Sequence, residues 1–119
     1  REDGIVMVDP HRCIGCKYCI ASCPYNARYL HPIKRYVQKC YWCYHRDDAG
    51  LEPACVNSCP TRAMVFGDLN DPDSEVSRLL ARNAVAVLKP EKNTLPQVYY
   101  IGADEALMRA TGSSEGGHA

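Results

Sequence analysis

Eight cysteines carry the chemistry open to this 119-residue chain. Four are closely spaced, Cys13, Cys16, Cys19 and Cys23, and Pro24 follows the last of them. The other four are Cys40, Cys43, Cys55 and Cys59, followed by Pro60. The first block reads C-x2-C-x2-C-x3-C-P, the run that holds bacterial-type 4Fe–4S clusters and whose fourth cysteine normally serves the neighbouring cluster. Thiolates two residues apart in a curled loop reach three corners of one cubane. The next cysteine leaves on a short helix, and proline ends the local turn. Cys13, Cys16 and Cys19 are expected to share one cluster, and Cys40, Cys43 and Cys55 another. Cys23 and Cys59 are the remaining ligands.

Other uses of eight cysteines fit less well. Structural zinc favours separated pairs, which the triple run at Cys13, Cys16 and Cys19 does not offer. A disulfide framework suits the even count but not the close triple spacing. A redox C-x-x-C enzyme needs one pair on a thioredoxin-like scaffold. The histidines His11, His31, His45 and His118 show no metal spacing and read as surface or packing residues. Trp42, with Tyr18, Tyr41 and Tyr44, reads as a hydrophobic lid that shields a cluster from water. No nucleophile–base set, carboxylate pair or phosphate loop is present, so no catalytic residue is expected.

The elements that must position these cysteines are short. Residues 5–8 form a β-branched run that predicts a strand entering the first loop. Gly15 lies inside that loop, where backbone close to inorganic sulfide needs unusual dihedrals. A one-to-two-turn helix is expected over residues 17–23 and a strand or extended segment over residues 27–33. Between Cys43 and Cys55 an 11-residue stretch replaces the two residues found at this point in the first block. Gly50 and Pro53 mark a turn there, with a short helix from Pro53 to Cys59. A strand over residues 63–66 then completes an imperfect repeat of the first block. Further on, Ser74 or Asp73 caps a helix over residues 75–82. Strands are expected at residues 84–88 and 97–101, and a last helix at 103–110. The fold class expected is α+β, ferredoxin-like, with short elements around two cluster sites. Residues 1–66 form the cysteine-rich region, 67–111 a ligand-free docking or packing appendage, and 112–119 a disordered tail.

Composition limits what else the chain does. One phenylalanine and one tryptophan build little core, so cluster–thiolate bonds are expected to replace part of it. Formal charge is zero, yet residues 10–46 hold seven basic side chains and no acidic one. Ligating cysteines are thiolates, so this basic stretch offsets negative clusters and raises their potential; no nucleic-acid partner is expected. From residue 63 on, eight acidic side chains face five basic ones. The longest apolar run, residues 84–88, falls far short of the ~20 residues of a membrane span. The chain starts Arg1-Glu2-Asp3-Gly4 without methionine, which reads as a processed product or fragment.

The two blocks resemble the third and fourth cysteine motifs of the four-cluster ferredoxin subunits of molybdopterin oxidoreductases, of the dimethyl sulfoxide, polysulfide and tetrathionate reductase type. The resemblance covers about residues 5–101. It rests on the 11-residue gap, Cys-Pro-Tyr-Asn-Ala-Arg-Tyr (23–29), Lys39-Cys40, Pro53-Ala54-Cys55, Gly-Asp-Leu-Asn-Asp-Pro (67–72) and Leu-Pro-Gln-Val-Tyr-Tyr (95–100). It implies an electron-transfer subunit of anaerobic respiration, not an enzyme by itself. Its partners would be a molybdopterin catalytic subunit, a quinone-reactive membrane anchor subunit and a missing N-terminal half of the same subunit. Location would be at the membrane through a partner, on the periplasmic or cytoplasmic face. The alternative is a free soluble two-cluster ferredoxin. The fourth ligands differ between the two. A self-contained ferredoxin exchanges Cys23 and Cys59 between its own two clusters. The resemblance implies that both reach clusters centred on the missing half.

Overall fold

The computed structural model describes residues 1–110; the tail expected at 112–119 lies outside them. The chain divides into two compact units, Arg1–Gly67 and a second beginning at Asp68.

In the first unit, helix α1 (Tyr18–Ser22) follows the first three-cysteine loop. Strands β1 (Tyr29–Leu30) and β2 (Val37–Gln38) pair antiparallel, Leu30 opposite Val37. Beyond them lie α2 (Tyr44–Asp47) and α3 (Ala54–Asn57). Pro53 precedes α3, where its missing N–H leaves no helical bond unmade. The 11-residue stretch is therefore not open loop. The α2 turn is closed by the Leu51 N–H on the Arg46 carbonyl at 2.9 Å and by the Arg46 Nε on the Glu52 carbonyl at 2.8 Å.

Two expected strands do not form. Residues 5–8 have no ladder partner, and Ile5 alone of that run is buried. Residues 63–66 also stay unpaired, because the Ala63 N–H points to the Cys59 sulfur instead of a neighbouring strand. For a related reason β1 is shorter than expected. The chain turns at Asn26 with φ +52°, and the Ala27 N–H serves the Cys23 sulfur. Both differences have one origin: backbone donors after each Cys-Pro are committed to a thiol.

In the second unit, α4 (Glu75–Arg82) starts at Ser74 as expected. The Ser74 hydroxyl accepts the Ser77 N–H at 3.2 Å and donates to the Asp68 carbonyl at 2.8 Å. That satisfies one of the unpaired donors of the first helical turn. Strands β3 (Val85–Ala86) and β4 (Tyr100–Ile101) pair antiparallel, shorter than the runs read from sequence, and α5 (Glu105–Ala110) follows.

Very little of this is core. Among the described residues only Ile5, Val37 and Pro53 are buried. Large apolar side chains stand open instead, Ile14 at 88% and Ile33 at 84% exposure in the first unit. No helix of the described residues is long and apolar enough to cross a membrane.

Candidate metal centre

The first loop is built against the β1–β2 turn. Gly15 has φ +69°, and a Cβ placed there would lie 2.7 Å from the Arg35 carbonyl oxygen. Real Cβ atoms do not approach backbone so closely, so glycine is what lets loop and turn meet. The strand that leaves this turn supplies a donor: the Val37 N–H points at the Cys13 sulfur at 3.4 Å. Val37 is almost fully buried, so this donor is held fixed. Lys17, with φ +64°, swings the chain from the loop into α1. Cys16 is exposed in the loop, Cys19 is exposed on α1, and Cys23 caps its C-terminal end, half-buried.

The second block repeats this plan with different side chains. Trp42, with φ +57°, takes the place of Gly15, and its N–H points at the Cys40 sulfur at 3.4 Å. The strain of a bulky residue in the left-handed region is partly offset by stacking on Phe66, ring centroids 5.7 Å apart. Cys43, with φ +50°, precedes α2, Cys55 is exposed on α3, and Cys59 follows it, half-buried. Tyr41, Tyr44 and His45 cluster beside this block, Tyr41 and Tyr44 at 5.8 Å between centroids.

The closest match between the blocks comes after each Cys-Pro. The third residue beyond the cysteine is left-handed in both, Asn26 at φ +52° and Arg62 at φ +51°. That turn aims successive N–H groups back at the sulfur. Partial burial pushes the Cys23 thiol up, but the N–H groups of Ala27, Tyr25 and Asn26, with the Arg28 guanidinium, outweigh it and hold it below its ordinary value. At Cys59 the Thr61 hydroxyl acts most strongly in the same direction, followed by the Ala63 N–H. The hydroxyl oxygen lies 3.4 Å from the sulfur. Donors that stabilise the anionic sulfur favour the thiolate, the form that ligates metal. Burial holds the Lys39 ammonium beside Cys40 below its ordinary pKa, and Arg28 adds to the effect.

None of the eight cysteines is in a disulfide. Among the described residues, no three Cys, His, Asp or Glu side chains converge where one metal ion would sit. A single zinc held at about 2.3 Å needs its sulfurs about 3.8 Å apart. A cubane takes each thiolate at a different iron, so it needs sulfurs spread more widely around curled loops. Two cysteine loops with N–H donors aimed at the Cys13, Cys40 and Cys59 sulfurs suit thiolate ligation of clusters. Sequence reasoning missed Thr61, Phe66 and the Val37 N–H. The parallel Cys-Pro-Tyr (23–25) and Cys-Pro-Thr (59–61) triplets held the one visible signal, a short aliphatic hydroxyl two residues after the second cysteine where the first has a long phenol.

Residues 1–69 match a family model described as a 4Fe-4S dicluster domain. Over 110 residues the chain is 49% identical to a tetrathionate reductase subunit of Salmonella typhimurium, covering 91% of this chain and 44% of that protein. It is 45% identical over 101 residues to a polysulfide reductase chain of Wolinella succinogenes, covering 84% of this chain and 53% of that one. A putative dimethyl sulfoxide reductase iron-sulfur subunit of Halobacterium salinarum is 44% identical over 121 residues, at 87% and 46% coverage. The chain thus spans about half the length of the curated relatives it matches.

Proposed function

The chain belongs to the 4Fe-4S dicluster domain family, and from that membership we propose that it is the part of a longer iron–sulfur subunit that carries single electrons within a respiratory reductase. The observation that supports this best is the pair of matching sulfur cradles after Cys23-Pro24 and Cys59-Pro60, inside the matched residues. We assign all eight cysteines, Cys13, Cys16, Cys19, Cys23, Cys40, Cys43, Cys55 and Cys59, as cluster ligands, and the first unit as a ferredoxin-like fold. A 4Fe–4S cluster supplies one-electron oxidation and reduction, and the protein sets its potential and position. The loops supply thiolates, the N–H groups of Val37, Trp42 and Ala63 bond to sulfur, and Trp42 with Phe66 shields one face from water. The chain makes and breaks no substrate bonds by itself. Relatives named as reductase subunits and about twice as long favour this reading over a free two-cluster ferredoxin.

The intact subunit, purified anaerobically, is expected to contain iron and acid-labile sulfide in equal amounts, with a broad visible absorption that bleaches with dithionite. Stoichiometric zinc without labile sulfide would end the iron–sulfur assignment.

The partners we assign are a molybdopterin catalytic subunit and a quinone-reactive membrane subunit, which would hold this chain at the membrane. The unit from Asp68 on is assigned to contact with them. It carries the acidic surplus, and Leu95 and Ile101 are exposed there. Removing residues 67–119 from the intact subunit is expected to leave bound iron largely in place and to abolish co-purification with the catalytic subunit. Undiminished co-purification would move the interface elsewhere.

A further inference from the structure

The two Cys-Pro cradles share a backbone but not their donors. Both turn at a left-handed residue, Asn26 or Arg62, and both aim N–H groups at the sulfur. Only the second adds a side-chain hydroxyl, Thr61 Oγ1, 3.4 Å from Cys59. The first has Tyr25 at that position and the Arg28 charge nearby instead. A ligating cysteine is a thiolate and accepts only, so the Thr61 hydroxyl is the donor in that state. Its neighbours hold it there: the Ala63 N–H bonds to the same sulfur at 3.4 Å, which fixes the turn that carries it.

We propose that Thr61 is a positioning residue that raises the reduction potential of the cluster ligated by Cys59, by donating its hydroxyl to the Cys59 sulfur. The inference rests on the iron–sulfur assignment above. Adding an electron increases the negative charge on the cluster and its sulfurs. A donor to sulfur therefore stabilises the reduced form more than the oxidised form, and the potential rises. Backbone donors at matching positions, Ala27 with Ala63 and Tyr25 with Thr61, are common to both cradles; the Arg28 charge belongs to the first alone and the Thr61 hydroxyl to the second alone.

The test is Thr61→Val in the intact, cluster-loaded subunit, read by an EPR-monitored redox titration. Valine keeps the branched shape and removes the donor. One midpoint is expected to fall, by up to a tenfold change in the reduced-to-oxidised ratio, or about 59 mV for one electron. The other midpoints, and the iron and labile sulfide per subunit, should stay at parental values. Thr61→Ser restores the hydroxyl and is expected to restore the midpoint. Parental midpoints in Thr61→Val with full cluster content would overturn the proposal, as would a serine variant shifted as far as valine. If Thr61→Val does not assemble its cluster, Thr61→Ala takes its place. Loss of the cluster in both would make the hydroxyl a requirement of assembly and would also overturn the proposal. A parental protein without labile sulfide would instead refute the assignment on which the inference rests.

Discussion

Replacing Cys16 or Cys43 with serine is expected to remove or convert one cluster and to lower the thermal midpoint of the subunit more than any apolar truncation. Each side chain lies in a loop with no interior behind it, Cys16 exposed and Cys43 half-buried. Judged by packing alone, losing either sulfur would hardly register. The expected effect comes from ligation. Structural zinc in zinc-finger peptides, the nearest measured comparison, supplies about 10–16 kcal/mol of apparent folding free energy, whereas emptying a core position costs about 2–5 kcal/mol. With three buried residues among those described, the first unit has little else to hold its loops. The measurements are iron and labile sulfide per subunit and the anaerobic melting curve. Serine variants of both positions that keep full iron content and parental melting would refute ligation by these residues.

Gly15→Ala is expected to destabilise the first cysteine loop by about 2–4 kcal/mol, from two independent sources. The residue has φ +69°, a region that an L side chain occupies only under strain. The new Cβ would also meet the Arg35 carbonyl at 2.7 Å, and that neighbour is backbone that cannot rotate away. Loop and turn must then separate, which loosens the Val37 N–H from the Cys13 sulfur. Loss of iron under mild chelation, faster than in the parent, is the readout. The matching position in the second block is a control. Trp42 already carries a side chain at φ +57°, so Trp42→Ala adds no new left-handed strain and no new clash; it loses the stack on Phe66 and the shielding and offset that the stack gives. Equal iron retention in parent and Gly15→Ala would show that the loop does not depend on this approach.

What the sequence disclosed, and what it withheld, follows from where the determinants lie. The cysteine blocks were legible because a 4Fe–4S motif is written in residue type and local spacing, and both blocks lie inside the residues that match the dicluster domain. Helix α4 was legible for a similar reason: Ser74 and the helix it starts are one continuous signal. The strands at 5–8 and 63–66 were misjudged. β-Branched composition reports a side chain's preference for pleated backbone, not whether a partner strand exists. At Ala63 the N–H goes to a sulfur, a competitor that propensity does not count. Helix α2 went unseen because it is a single turn closed by Arg46 on the Glu52 carbonyl six residues on, a local clasp with no periodicity. Thr61 was overlooked because one hydroxyl near a cysteine is unremarkable until the turn at Arg62 aims it.

An interior of three residues among those described also bears on the life of the protein in the cell. A polypeptide that buries Ile5, Val37 and Pro53 and leaves Ile14 and Ile33 open has little to resist proteases or self-association before its ligands are engaged. With the eight cysteines as cluster ligands, iron delivery is then a step of folding and not a late decoration. Newly made polypeptides would then face a race between cluster insertion and degradation. Iron starvation would lower the abundance of the protein itself, not leave a pool of empty molecules awaiting metal.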